Sequence, residues 1–305
     1  MPTVAPGILQ IDTLLGGWDG VTAAYVVAGE NPALVETGAF TSAPAVYAAL
    51  TTMGLGPDDL AWIVLTHIHL DHCGGTGTLA ARFPRARIVV HPRGARHLAR
   101  PERLVDASMA VYGALGPTIG GLDPTPDERI VTADDGHRVS IAPGRDLVML
   151  HAPGHARHHA IVLDEATGTV MAGDALGVRL PGGGLYPAVP PPEFDLEAAV
   201  TTLHRIRALR PERLLLGHFG SAGDPGGAID QAERQQTLVA EAALRAWAES
   251  GTVESVGRAV REVLPPEREV GEGPALDRLR ALGWIENNIA GLAKWAGEKT
   301  AAAEG

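Results

Sequence analysis

One stretch constrains this chain more than any other: Thr66-His67-Ile68-His69-Leu70-Asp71-His72. It stands directly after residues 61–65, a continuous apolar run that reads as a strand buried on both faces. Four of the six side chains from His67 to His72 can bind a metal ion. In an extended segment His67 and His69 point to the same side, so they can share one ion. The chain must then turn, which lets Asp71 and His72 address a second position. Imidazole and carboxylate donors without thiolate suit zinc, and also manganese or iron. A structural zinc finger is disfavoured, because such sites are closed and mostly use cysteine.

Around this stretch, short apolar runs alternate with turns, as 38 glycines and 23 prolines allow. Residues 8–15, 23–28 and 33–36 read as strands of a meander, followed by a helix over 43–53 that stops at Gly54. A helix over 76–83 and a strand over 87–90 come next. Residues 101–115 read as a helix with Leu104, Val105, Met109, Tyr112 and Leu115 facing the core, and 116–126 as a loop. A second half repeats this grammar, with strands near Ile130 and over 139–141, 147–150, 160–163 and 169–172. Asp195 caps a helix reaching about Leu209, and 213–216 is a last strand.

After Asp224 the pattern turns helical, with helices over 228–249, 253–263, 275–282 and 284–295 and a frayed end over 300–305. Ile285, Ile289 and Leu292 recur at helical spacing on one face. The expected organisation is one α+β domain over 1–225 with a helical extension over 226–305 packed on it. Two strand-rich halves fit a sandwich of two sheets covered by helices better than a doubly wound parallel sheet.

Composition narrows the partners. With 45 % hydrophobic residues a sizeable core is feasible. A net charge of −11 without a basic cluster argues against nucleic acid and anionic membranes. Cys73 is the only cysteine, so no intrachain disulfide can form. No basic segment followed by an apolar run opens the chain, and no stretch approaches the roughly 20 apolar residues of a membrane span. A cytoplasmic protein acting on a small molecule is expected, its oligomeric state open.

The segment His67-Ile68-His69-Leu70-Asp71-His72 after a buried strand resembles the H-x-H-x-D-H signature of the metallo-β-lactamase superfamily. The resemblance extends to about Gly220, through Pro153-Gly154-His155, Ala172-Gly173-Asp174 and Leu216-Gly217-His218, each after an expected strand. It implies a four-layer αββα sandwich with two divalent metal ions, zinc first, at one edge. His155 would then be the third ligand of the first ion, beside His67 and His69. Asp174 would bridge both ions, and His218 would complete the second with Asp71 and His72. Glu36 departs from the pattern, since the family usually has Asp there; it is a candidate to support the site without binding metal. Thr66 is a candidate for the same supporting role.

The resemblance implies hydrolysis by a metal-bridging hydroxide, with Asp71 able to orient it. Among its branches the helical tail looks like the glyoxalase-II-like and lactonase-like hydrolases, so an ester, thioester or lactone is the expected substrate. The alternative is a mononuclear iron enzyme like the persulfide dioxygenases, which share the fold. Cys73 is expected to be a small buried side chain, and His91, His97, His151, His158 and His159 to be neighbours, not ligands. Residues 104–118, 178–194 and the helical tail are the candidate specificity elements; 178–194, stiffened by five prolines, reads as a loop in which Tyr186 lines the substrate entrance.

Overall fold

This computed structural model describes residues 1–304. The chain divides into two compact units. One is built from Met1–His151, His158–Gly173 and Pro211–Ser221; the other from Ala152–Arg157, Asp174–Arg210 and the chain from Ala222 onward. This grouping differs from the expected boundary between 225 and 226. Segment 174–210 goes with the helical tail because Val178, Tyr186, Val189 and Phe194 share its core, and 152–157 belongs to the same unit.

In the first unit the described strands form two mixed sheets. The first runs in chain order: β1 (Thr3–Ala5), β2 (Ile8–Asp12), β3 (Ala23–Val27), β4 (Ala33–Val35), β5 (Trp62–Val64), β6 (Arg87–Val90) and β7 (Ile130–Thr132). Its early strands are antiparallel, and β4 to β7 are parallel. The second sheet begins with β8 (His137–Ala142), β9 (Arg145–His151), β10 (Ala160–Asp164) and β11 (Thr169–Met171). Two short strands of the other unit come next in sequence, β12 (Val178–Arg179) and β13 (Leu185–Tyr186). The second sheet then closes with β14 (Arg213–Leu216), parallel to β11, and β15 (Gly220–Ser221).

Period-two alternation sets the packing. Tyr25, Val27, Val35, Val64 and Val89 of the first sheet share one buried cluster with Ile141, Met149, Val162, Met171 and Leu215 of the second. The opposite face of the first sheet is equally dry: Val26, Leu34, Ile63 and Ile88 are all buried. Burial on both faces explains why 61–65 reads as an unbroken apolar run. Helices Ala43–Thr52, Thr76–Arg82 and Pro92–Ala99 accompany these strands. Arg129 gathers the ends between them, donating to the carbonyls of Ala80, Phe83 and Ala86. A helix over Glu102–Tyr112 follows, and the expected loop after it includes a helical turn, Gly116–Ile119.

The second unit is mostly helical. Helices Leu196–Ala208, Pro225–Ser250, Val253–Val263, Pro266–Val270, Pro274–Ala281 and Trp284–Glu304 supply it. Their starts carry the expected caps: Asp195 accepts from the Ala198 amide at 2.9 Å, and Asp224 from Gly227 at 2.8 Å. The long helix ends at Gly251 with φ 61°, as a left-handed cap requires. Ile285, Ile289 and Leu292 join Phe194, Val239, Val260 and Trp295 in its core. Helix persists to Glu304, where fraying was expected from 300; Gly305 lies outside the described residues. Residues 178–194 hold the β12–β13 hairpin in place of a simple loop. No helix among the described residues is long and apolar enough to cross a membrane.

Candidate metal centre

The central stretch folds as its spacing requires. His69 keeps an extended backbone, φ −66° and ψ 141°, and then one helical turn, Leu70–Cys73, begins. That turn carries Asp71 and His72 round to a second position. The His67 and His69 rings lie edge to face with centroids 4.7 Å apart, and the His67 and His72 rings are 4.2 Å apart. His218, directly after β14, comes to the same place, so five of the expected ligands converge within the first unit.

Hydrogen bonding decides what these rings can do. His72 Nδ1 lies 3.0 Å from Glu36 Oε2, and His218 Nδ1 lies 3.0 Å from the Val21 carbonyl. Both partners are acceptors, so each Nδ1 is the donor and each neutral ring presents a lone pair at Nε2. Those two Nε2 atoms are 3.0 Å apart. Asp71 Oδ2 stands 3.2 Å from His218 Nε2 and 3.7 Å from His72 Nε2. Three electron-pair donors so close repel one another unless a cation lies among them. Asp71, His72 and His218, all buried, thus have the chemistry of a divalent-metal site.

Glu36 is the support residue that the sequence marked as a candidate. Its carboxylate takes His72 on one oxygen and the Thr66 amide on the other, at 2.7 Å. It is 2 % exposed and held at φ 68°, a left-handed backbone unusual for a side chain of this size. Thr66 Oγ1 in turn lies 2.9 Å from His67 Nδ1. Gly173 makes this packing possible: a Cβ there would lie 2.6 Å from Thr66 Oγ1 and 2.7 Å from His159 Nε2. Cys73 is fully buried and bonds the Ile68 carbonyl. Burial, and then the nearby Glu36 and Asp71, push its thiol pKa well up, so it stays a thiol.

The second unit brings the remaining two expected ligands together. His155 Nε2 is 3.7 Å from Asp174 Oδ2, and His155 Nδ1 bonds the Ala188 carbonyl at 2.8 Å. This ring therefore also presents Nε2 as a lone-pair donor. Gly154, at φ 139°, has no room for a Cβ, which would meet the Ala199 backbone at 2.4 Å. Gln236, from the long helix, donates to the Ala175 carbonyl beside Asp174 at 3.2 Å.

Two tyrosines depart from their expected places. Tyr186 is 2 % exposed and packs in the second unit's core, since β13 turns it inward. Tyr112, expected among core packing positions, donates its hydroxyl to Asp71 Oδ1 at 2.9 Å. Its place within 104–118, a candidate specificity element, is the hint in the sequence.

Residues 16–218 match the model of the metallo-beta-lactamase superfamily. The chain belongs to that superfamily, whose members are generally metal-dependent hydrolases. It is 27 % identical over 203 residues to the metallo-beta-lactamase fold-containing protein ST1585 of Sulfurisphaera tokodaii, covering 66 % of this chain and 73 % of that one. The solved structure of ST1585 aligns over 94 % of this chain and 98 % of its own with a TM-score of 0.72 at 23 % identity. The metallo-beta-lactamase family protein TTHA1429 of Thermus thermophilus aligns over 99 % of this chain and 96 % of its own, with a TM-score of 0.67 at 23 % identity. A hydroxyacylglutathione hydrolase of Aeromonas salmonicida is 30 % identical over 114 residues, 37 % of this chain and 32 % of that enzyme. The expected α+β sandwich with a helical C-terminal region is thus the superfamily's fold.

Proposed function

We propose that this chain is a dinuclear metallo-hydrolase, zinc-dependent and cytoplasmic, that cleaves a small-molecule ester, thioester or lactone. His67, His69 and His155 would hold one ion, Asp71, His72 and His218 the other, and Asp174 would bridge them. The observation that carries this reading is the facing trio of Asp71 Oδ2, His72 Nε2 and His218 Nε2, whose Nδ1 atoms are already committed to oxygen acceptors. A mononuclear iron enzyme has less use for so complete a second donor set.

Two ions bound there would supply a water acidified toward neutrality and an electrophilic anchor for the scissile oxygen. The protein's own contribution is orientation. Glu36 and the Val21 carbonyl fix the His72 and His218 rings and their tautomers. Asp71 can accept a hydrogen bond from the nucleophile and so align it. Support for a carboxylic ester or thioester substrate comes from the similarity to a hydrolase named for hydroxyacylglutathione. The net charge of −11 favours a small molecule over nucleic acid.

Metal analysis of the purified chain, paired with an esterase, thioesterase and lactonase panel, tests the proposal. About two zinc ions per chain with turnover of one of these substrates supports it. One iron with thiol-dependent oxygen uptake replaces it with the dioxygenase reading. A folded protein with no metal and no turnover removes both.

A further inference from the structure

The helix Glu102–Tyr112 differs from the helices Pro92–Ala99 and Gly116–Ile119: none of its residues is fully buried. Leu104, Val105, Met109 and Tyr112 are only half-buried, on one face. It ends on Tyr112, and Gly113 at φ 53° opens a short 3-10 turn reaching Leu115. At that end sits a polar contact linking residues 41 positions apart, Tyr112 Oη–H to Asp71 Oδ1.

This contact divides the Asp71 carboxylate. Oδ1 accepts the phenol at 2.9 Å, while Oδ2 faces His218 Nε2 at 3.2 Å and His72 Nε2 at 3.7 Å. An ionised carboxylate accepts only, so the phenol must be the donor. Asp71 is 7 % exposed, and since the χ2 torsion of a carboxylate is soft, a bond to one of its oxygens helps to fix its plane. With it, one oxygen is committed and the other is aimed at the imidazoles.

We infer that Tyr112 is a positioning residue. It locks Asp71 so that a single oxygen, Oδ2, is offered to the ion held with His72 and His218. The inference rests on the metal reading above and extends it to a residue outside the ligand set. A supporting partner of this kind typically contributes about 10–100-fold in metal affinity or activity.

The test titrates metal-free protein with zinc in competition with a chromophoric chelator, for wild type, Tyr112→Phe, Asp71→Ala and the double variant. The expected result is that Tyr112→Phe weakens one of the two binding events by about 10-fold or more and leaves the other alone. In the Asp71→Ala background the same change should have no further effect, because Tyr112 acts through that carboxylate. The unfolding midpoint of metal-free Tyr112→Phe should match wild type, which separates positioning from folding. Equal affinities for wild type and Tyr112→Phe overturn the inference alone, as does an undiminished effect in the Asp71→Ala background. A wild-type chain that binds no zinc overturns the metal reading and takes this inference with it.

Discussion

The helix Glu102–Tyr112 and the hairpin β12–β13 each present one tyrosine, and the two side chains serve opposite ends. Tyr186 sits on a hairpin with its neighbour Leu185 also buried, among Phe194, Leu279 and Trp295 of the second unit's core. Tyr112 sits on a helix with no fully buried residue, and its hydroxyl reaches a carboxylate of the metal centre. Burial raises the phenol pKa in both, and for Tyr112 the charge of Asp71 adds to it. Both phenols stay protonated, and the Tyr112 hydroxyl donates its proton to the Asp71 carboxylate. Packing therefore holds Tyr186, and polar contact holds Tyr112.

The comparison can be broken by substitution. The largest effect belongs to the centre that Tyr112 touches: His218→Ala should lose metal and activity together, read by metal analysis and turnover. Next, Tyr186→Ala should destabilise by about 3–5 kcal/mol in urea unfolding, as truncation of a buried aromatic does, while turnover per folded molecule is kept. Tyr112→Ala should reverse that pattern, costing no more than about 1–2 kcal/mol in the same unfolding assay but at least about 10-fold in activity. If Tyr186→Ala instead spared stability and cut activity, the roles assigned to the two tyrosines would be exchanged.

A pH series sharpens the contrast, because a buried titratable ring belongs to the same unit as Tyr112. Burial, with help from the neighbouring His151 and Arg93, depresses the His91 pKa from 6.5 to about 4. The unfolded chain then binds more protons than the folded one between those values. Stability should be complete above the unfolded pKa near 6.5 and fall as the pH drops towards 4. The urea midpoint of wild type should therefore fall between pH 7 and pH 4.5 by more than that of His91→Gln. The smallest expected effect is that of Cys73→Ala, which should keep both metal and activity and shift the unfolding midpoint slightly.

What could be read in the sequence follows from what is local. Strands 87–90 and 213–216 and the helix 253–263 match the expected bounds residue for residue, because alternation and helical spacing lie within a few residues. The ligand stretch was legible because its donors are adjacent. The family resemblance marks Glu36 as a support candidate, but its bonds to Thr66 and His72 span 30 and 36 residues and are not legible locally. Tyr186 was misjudged for the same reason: five prolines suggest an exposed loop, while the helices that bury it arrive much later in the chain. The helix Pro92–Ala99 was missed although His91 caps it, accepting from the Arg93 amide. A histidine is not an obvious cap, and eight residues give little periodicity.

The way the chain threads its two units has a consequence for recombination between relatives. The hairpin and the helix Leu196–Ala208 share a core with helices that begin only at Pro225, and Asn288 clamps the backbone of Pro187 and Val189 from about a hundred residues away. Residues 174–210 and the chain from 222 onward are thus one heritable cassette split in the gene by two strands of the other unit, β14 and β15. A crossover placed at the visible change of composition near Asp224 would pair half a core with a stranger's other half. Chimeras that exchange both pieces together should fold, and those that exchange one should not.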